Sequence, residues 1–140
     1  MNLTEFTWNH TTLHARSVDT SITYLQSLSP AHKGLELVEQ MYPYFGDEVI
    51  MHLEFIRVAG CAVPTALQLV RYTTEERLIE IIRYHEEQCV FIANPHTYIL
   101  EDGGRKKIDV EQLKFKEMFD PHGLLNPGKM RAWLERELRH

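Results

Sequence analysis

Two short spacings place groups that can carry protons side by side. His52 is followed two residues later by Glu54, and His96 is followed by Tyr98. In a strand this spacing puts both members of a pair on one face, about 7 Å apart. Histidine and tyrosine can act as acid and base or bind an oxyanion. We therefore take His52, His96 and Tyr98 as candidate catalytic residues and Glu54 as a candidate for a substrate pocket.

Each pair also has a purely structural interpretation. His52 can be a histidine that a glutamate satisfies on a covered sheet face. The stretch around His96 follows Asn94 and Pro95, so it can be a turn that leads into an amphipathic strand. The spacing alone favours these interpretations over chemistry, and both remain open.

A third group of polar residues lies near the start of the chain. His10 and His14 have the spacing that suits a metal ion on a helix. Residues 4–14 alternate like a strand, which would hold the two rings about 13 Å apart. Asn9 and His10 could still line a substrate pocket. The chain has no HExxH motif and no Cys/His quartet, so we predict no metal site.

Several other chemistries lack their motifs. The sequence contains no GxGxxG or GxxxxGK[ST] stretch for a nucleotide and no GxSxG stretch for an activated serine. Fifteen Lys and Arg against twenty Asp and Glu give a net charge of -5. A nucleic-acid partner would require net positive charge to release counterions, so we predict none.

The cysteines and the apolar runs bear on the compartment. Cys61 and Cys89 have no CxxC spacing, and we interpret them as buried thiols in a reducing environment. The first residues show neither a basic nor an apolar signal region, and no apolar run is long enough to span a membrane. We therefore expect a cytoplasmic protein without a membrane partner.

The elements that must position these residues follow from periodicity. Alternation predicts strands over residues 4–14, 48–58, 66–72 and 96–100. Helical spacing predicts helices over residues 31–42, from a capping box of Thr73 and Glu76, from a cap at Asp109 and Gln112, and over 130–139.

The order of these elements predicts the fold class. Strand, helix, strand, strand, helix, strand is the split βαβ pattern of a ferredoxin-like antiparallel sheet. We predict an α+β fold with helices on one face of the sheet and a C-terminal helical tail. The 140 residues then form one domain, with a core over about 4–100 and the tail over 108–140.

The most specific motif in the sequence lies in this tail. Residues 119–130 read Phe-Asp-Pro-His-Gly-Leu-Leu-Asn-Pro-Gly-Lys-Met. The pattern indicates the end of a helix, a turn, two apolar anchors and a second turn. Pro127 and Gly128 fix the backbone, and Lys129 follows them at the end of the turn. Such a density of turn residues is typical of a main chain held close to another surface.

This stretch resembles the C-terminal signature of FAD-linked oxidases of the vanillyl-alcohol oxidase type. The match is unbroken from Phe119 to Lys129, and residues 113–118 resemble the helix that leads into it. The upstream α+β pattern is compatible with the cap, or substrate, domain of that family, which has a ferredoxin-like sheet.

The resemblance implies a role for each candidate residue. In that family the cap covers the flavin ring and forms the substrate pocket, and the tail returns toward the FAD-binding domain. By this analogy Asn126, Gly128 and Lys129 lie near the flavin. Hydride would pass from a small-molecule substrate to FAD, with His96, Tyr98 or His52 taking the proton.

The chain is too short to be a complete enzyme of this type, which needs several hundred residues. A separate FAD-binding protein or subunit would have to supply the cofactor, and we expect the isolated chain to be colourless. The alternative is a stand-alone ferredoxin-like binding or dimerisation module without catalysis, in which the sheet forms a homodimer. A C-terminal loop buried inside the molecule itself would argue against the enzyme interpretation.

Overall fold

A computed structural model of the chain describes residues 10–103, 108 and 110–137. Two compact units divide the chain, Met1–Ile92 and Ala93–His140. We call them the sheet unit and the C-terminal unit. The predicted single domain, with its core over about 4–100, stays a prediction.

The sheet unit contains an open sheet of five strands, and the unit ends within the last of them. The strands are β1 (Ile22–Leu28), β2 (Val49–Ile50), β3 (Leu53–Val58), β4 (Cys61–Arg71) and β5 (Phe91–Ala93). The strand order in the sheet is β2-β4-β1-β5. Strand β3 also pairs with β4, on the same edge as β2. The β1, β2 and β3 strands all run antiparallel to β4.

Among the described residues, three α-helices and a 3-10 helix, Gly46–Glu48, accompany this sheet. The α-helices are α1 (His10–Val18), α2 (Gly34–Phe45) and α3 (Glu75–Glu87). Thr74 begins α3, because its hydroxyl oxygen accepts a hydrogen bond from the Arg77 N–H at 3.2 Å. The helix was therefore predicted correctly, although its cap is Thr74 and not Thr73. Within the described residues no helix has the length and apolar character that a membrane span needs.

The apolar core shows which helices share a face of the sheet. One buried cluster contains residues of α2, of α3 and of the strands; its members include Leu25, Leu37, Met41, Phe45, Val49, Val70, Leu78, Ile81 and Ile92. Since α2 and α3 contribute to the same cluster, they cover one face of the sheet. Counting β2 and β3 as one strand, the chain order places the first strand between the third and the fourth, which is the ferredoxin-like arrangement. The predicted α+β fold class is confirmed.

The other face of the sheet is also covered in its middle. Ile22, Leu67 and Leu69 alternate with the core residues of β1 and β4 and are buried as well. Alternation in a strand sends neighbouring side chains to opposite faces. Helix α1 packs against β1 and β4. Its first residues, 10–14, were predicted from the sequence to form part of a strand.

A glycine sets the distance between α2 and the sheet. A Cβ atom on Gly34 would lie 2.2 Å from Cγ of Pro64 in β4. No side chain fits in that space, so the start of α2 lies directly on the proline ring. Pro64 also marks where β4 leaves β1, because β1 ends opposite Thr65.

Beyond that point β3 and β4 continue as a two-stranded ribbon. Their pairing runs on to Val58 opposite Cys61. Ala59 and Gly60 form its turn with φ angles of 49° and 85°. Positive φ at both central residues is the geometry that matches the twist of a two-residue hairpin.

Two strands predicted from the sequence are wrong. Residues 10–14 belong to α1 and not to a strand, and residues 4–9 lie outside the described residues. The first strand is β1, in a stretch that the sequence left ambiguous. Residues 96–100 form a turn and the beginning of a 3-10 helix, while the last strand is β5, a few residues earlier. The apolar run before Asn94 is short, and it pairs with β1 despite its length.

The C-terminal unit contains short helical elements. They are a 3-10 turn (Leu100–Asp102), α4 (Val110–Phe119) and α5 (Arg131–Glu137). Helix α4 ends before Asp120 and Pro121, as predicted. The predicted cap residue Asp109 and the last predicted helical residues, 138–140, lie outside the described residues.

Candidate functional site

Residues 120–130 connect α4 to α5, and we call them the Asp120 loop. Asp120 is buried, and its carboxylate accepts the backbone N–H groups of Leu124 at 2.8 Å and Leu125 at 3.0 Å. Its own carbonyl accepts the N–H of Gly123 at 3.0 Å. One side chain thus holds the whole first turn of the loop.

Lys116, on the last turn of α4, completes this arrangement. Its Nζ forms an ion pair with Asp120 and also donates to the carbonyl of Leu125 at 3.0 Å. The hydrogen bond from Lys116, followed by those from the Leu125 and Leu124 N–H groups, lowers the pKa of Asp120. The carboxylate is therefore charged at neutral pH and supports the loop in that form.

The second turn of the loop has an unusual backbone. Asn126 has a φ of 50° and Gly128 a φ of 74°. Asparagine and glycine are the residues that tolerate this left-handed region best. The carbonyl of Asn126 accepts the Lys129 N–H at 3.3 Å, which closes the turn. The sequence therefore fixes the backbone at both turns of the loop.

The end of the loop is attached to the 3-10 turn. The Lys129 carbonyl accepts the Leu100 N–H at 2.9 Å. The Glu101 carboxylate accepts the N–H groups of Arg131 at 3.1 Å and Ala132 at 2.9 Å, which are the first donors of α5. These backbone hydrogen bonds outweigh the burial of Glu101 and lower its pKa. A residue distant in sequence therefore caps α5.

The Asp120 loop is exposed to solvent. Leu124 is 75% exposed and Leu125 63% exposed, although both were predicted to be apolar anchors. Asn126, Gly128 and Lys129, the predicted cofactor-binding residues, are exposed too. The loop is therefore not buried in the molecule itself. A buried loop would have argued against the enzyme interpretation.

One predicted catalytic residue lies beside this loop. The Lys129 Nζ is 5.6 Å from the centre of the Tyr98 ring, within the range of a cation–π contact. Tyr98 is 68% exposed. His96 is exposed as well, and its backbone N–H donates to Oδ1 of Asn94 at 2.9 Å in a turn. The two residues belong to the same unit as the loop, although not to the predicted strand.

The remaining candidates belong to the sheet unit. His52 directly precedes β3 and is half-buried, and Glu54 lies in β3 with an exposed side chain. His10 begins α1, and only its backbone is described; Asn9 lies outside the described residues. The described candidates are therefore divided between two units, and among them only His96 and Tyr98 lie with the loop.

The sequence did not indicate the buried polar pair in the core. His85 on α3 is fully buried, and its Nδ1 lies 2.7 Å from the Ile81 carbonyl. Its Nε2 is 3.1 Å from Nε2 of Gln68 on β4, so Gln68 donates to a neutral ring. Burial lowers the pKa of His85. The one signal in the sequence is a histidine at helical spacing with Leu78, Ile81 and Ile82.

Both cysteines differ from their prediction. Cys61 and Cys89 are free thiols, but each is exposed and not buried. Among the described residues, no group of three or more His, Cys, Asp and Glu side chains could hold a metal ion.

Comparison with known proteins adds no relative: no family model matches this sequence, and no curated protein matches it. The site must therefore be interpreted from its own geometry and from its resemblance to the flavin-oxidase signature.

Proposed function

We propose that this chain is the cap, or substrate, part of an FAD-dependent oxidoreductase that acts together with an FAD-binding domain outside this sequence. The observation that carries the proposal is the Asp120 loop, which is fixed internally yet exposes its leucines. We place the protein in the cytoplasm, since its two cysteines are free thiols.

The loop has the properties of a docking element. The Asp120 carboxylate and Lys116 fix its backbone without help from another molecule. The side chains of Leu124 and Leu125 contribute little burial free energy to the fold, because they remain mostly exposed. A partner that covered them would recover about 1.5–3 kcal/mol per fully buried leucine. The arrangement supports a surface made for another protein domain.

The residues at the end of the loop fit the edge of a flavin in charge and access. FAD would supply an acceptor for hydride from the substrate. Lys129 would place a positive charge beside that acceptor, and Tyr98 lies next to Lys129. Asn126 and Gly128 are exposed at the same turn. Because these residues are all exposed, we assign them contact with a flavin and not its retention.

His96 and Tyr98 are the groups that we assign to the proton of the substrate. Both are exposed side chains of the unit that carries the loop. A general base must come within hydrogen-bond reach of the proton that it removes. An exposed imidazole and an exposed phenol meet that requirement for a substrate bound between the cap and its partner. His52 remains a second choice, since it belongs to the sheet unit.

The test uses the tagged chain purified from its native host. We expect FAD to copurify with the chain and to be released by acid, where its fluorescence is measured. The variant Leu124→Asp/Leu125→Asp should lose the FAD while keeping its fold, since the replaced side chains are exposed. The matched control Leu13→Asp, at another exposed leucine, should retain FAD.

Three outcomes would contradict the proposal. The chain could bring no FAD from its host, or the Leu124/Leu125 variant could bring as much as the unchanged chain. The recombinant chain alone could also bind FAD tightly, which would show that it is not a cap without its cofactor domain. Lys129→Ala should weaken the flavin signal, and an unchanged flavin affinity and potential would remove Lys129 from the site.

A second candidate function is a binding or dimerisation module without catalysis. The observation that favours it is the apolar outer strand of the sheet, where Phe55 is 71% exposed and Ile56 43% exposed. The candidates His52 and Glu54 flank this strand and would then serve an interface. Absence of FAD together with a stable homodimer would favour this function.

A further inference from the structure

We infer that β3 is a dimer strand, through which a second copy of this chain pairs antiparallel and extends the sheet. The inference deepens the second candidate function, since it names the occupant of the outer strand, and it holds whether or not the Asp120 loop contacts a flavin domain. It commits to one occupant for this edge, and it predicts the register of the pairing.

The hydrogen bonds of β4 show which residues of β3 point outward. The Leu67 N–H donates to the His52 carbonyl at 3.1 Å, so residue 67 faces the β3 side of β4. The Pro64 carbonyl accepts the Ser29 N–H at 3.1 Å, so residue 64 faces the opposite side. Adjacent residues of a strand point their backbone groups to opposite edges.

The outward positions follow from the register. Phe55 lies opposite Pro64, and Leu53 and Arg57 stand two residues to either side. Because Pro64 directs its backbone away from β3, Phe55 directs its own N–H and C=O away from β4. The same parity applies to Leu53 and Arg57. Within the described residues, β3 has no strand on this outer side.

A second copy satisfies all three positions at once. A two-fold axis perpendicular to the sheet keeps each residue on its own face, so outward residues can pair only with outward residues. The register with the most pairs is centred on Phe55. It sets Phe55 opposite Phe55 of the other copy and Leu53 opposite Arg57. No like charges then face each other directly, and the aliphatic part of Arg57 covers Leu53.

The side chains of β3 support the same partner. Phe55, Ile56 and Val58 are 71%, 43% and 41% exposed, which is unusual for a strand without a neighbour. The strand has no lysine or proline; its two charged side chains are Glu54 and Arg57, which have opposite sign.

An apolar cleft adjoins the proposed pairing centre. It has a volume of about 240 Å³ and lies on the face that carries α2, where Leu35 is 73% exposed. Its lining includes Leu35, Val38, Leu53, Phe55 and Pro64. The Phe55 ring of a second copy would lie beside this cleft and cover its apolar wall. The edge therefore offers both backbone groups and apolar surface to one partner.

Two proline variants separate the outer edge from the inner one. In Phe55→Pro the lost N–H points outward, so the chain should fold but have the mass of a monomer in sedimentation equilibrium. In Ile56→Pro the lost N–H pairs with β4, so that variant should be destabilised as a chain. The unchanged protein and the Leu124→Asp/Leu125→Asp variant should both have the mass of a dimer. A monomeric unchanged protein would overturn the inference, as would a dimer that Phe55→Pro leaves intact.

Cysteine crosslinking tests the register directly. In a Cys61→Ser/Cys89→Ser background, Phe55→Cys should form a disulfide-linked dimer under mild oxidation, since paired residues are about 5.5 Å apart between Cα atoms. Val58→Cys is the matched control on the same strand, and it should not crosslink. Crosslinking at Val58 without crosslinking at Phe55 would overturn the proposed register.

Discussion

The sheet unit and the C-terminal unit are held together by different groups. In the sheet unit a continuous cluster of leucine, isoleucine, valine and aromatic side chains is buried between the sheet and two helices. Among the described residues of the C-terminal unit, only Asp120 and Trp133 are buried. Phe115, Met118 and Phe119 of α4 are each more than 60% exposed. The first unit has a buried apolar core of its own, whereas the second leaves most of its large apolar side chains exposed.

Polar contacts take over this role in the C-terminal unit. The Asp120 and Glu101 carboxylates accept backbone N–H groups, and Lys116 and Arg136 lie 5.1 Å and 5.0 Å from the Trp133 ring. Such contacts fix a conformation but contribute modest free energy, about 0.5–1.5 kcal/mol for a typical hydrogen bond. We therefore expect the two units to respond differently to substitution, to acid and to backbone changes.

The largest effect should come from opening the core of the sheet unit. Phe45 is buried and contacts the rings of Tyr84 and His85 at 5.1 Å and 5.3 Å. Phe45→Ala should lower the free energy of unfolding by about 3–5 kcal/mol in urea titrations, through lost burial and a cavity. The control Tyr42→Ala, at a residue 66% exposed on the same helix, should change it by less than about 0.5 kcal/mol. Equal effects would contradict the conclusion that the buried cluster stabilises the sheet unit.

The buried pair of Gln68 and His85 should give an intermediate effect. His85→Leu leaves the Gln68 amide nitrogen with only the weak acceptor Sδ of Met51, at 3.7 Å, and should cost about 1–3 kcal/mol. The double variant Gln68→Leu/His85→Phe removes both polar groups and keeps a ring against Phe45, so it should cost less. A double variant that is less stable than the single one would show that the pair is a net gain.

The same pair should make stability depend on pH. Burial lowers the pKa of His85, so the unfolded chain binds this proton more readily than the folded chain. Its contribution is therefore complete above the ordinary histidine pKa of about 6.5 and decreases as pH falls toward the folded value. Urea titrations at several pH values from neutral down to about pH 5 give the free energy of unfolding at each pH. This free energy should change less with pH in the double variant than in the unchanged protein. An identical change with pH in both would mean that His85 ionises freely.

The third effect is local and belongs to the Asp120 loop. Asp120→Asn removes the ion pair with Lys116 and turns one acceptor of a backbone N–H into a donor. Amide exchange at Leu124 and Leu125 should accelerate, while exchange in β4 stays unchanged. Since the pKa of Asp120 is lowered, the loop should keep full protection above the ordinary aspartate pKa of about 3.9 and lose it as pH falls through the folded value. Faster exchange in both units would contradict their independence.

The smallest effect concerns one backbone position in the sheet unit. Cys89 follows α3 with a φ of 61°. The Cys89 N–H donates to the Glu86 carbonyl and the Val90 N–H to the His85 carbonyl, which ends the helix. Glycine is the preferred residue there, so Cys89→Gly should raise the free energy of unfolding by up to about 1 kcal/mol. Cys89→Ala is the matched control and should leave it almost unchanged. A destabilised glycine variant would show that the thiol makes a contact of value.

The sequence predicted long periodic elements well and short ones poorly. Helix α3 and strand β4 follow from residue spacing, because most of their apolar positions are buried. Strand β3 alternates as predicted, although most of its side chains are exposed. Residues 10–14 alternate too, but a period of two over a few residues does not exclude a helix. Strand β5 is too short to be recognised without its partner, β1, which supplies the pairing.

The candidate site was predicted in part for a similar reason. The turn residues of the Asp120 loop favour its backbone conformation. The ion pair of Asp120 with Lys116 and the exposure of Leu124 and Leu125 could not be expected from residues 120–130 alone. That Lys129 lies over Tyr98 depends on a hydrogen bond between Lys129 and Leu100, which no local pattern encodes. The strand predicted for residues 96–100 failed because the Asn94 side chain forms a turn with His96 instead.

The ribbon that β3 and β4 form beyond β1 has a consequence for how the chain can be cut. Its tip, Ala59 and Gly60, is followed by exposed residues, and the strands there have one neighbour each. Proteases cleave most readily at exposed loop tips with small residues. A single early nick should therefore occur between β3 and β4. The two fragments would then remain associated through the core that both help to build, and would separate only in denaturant.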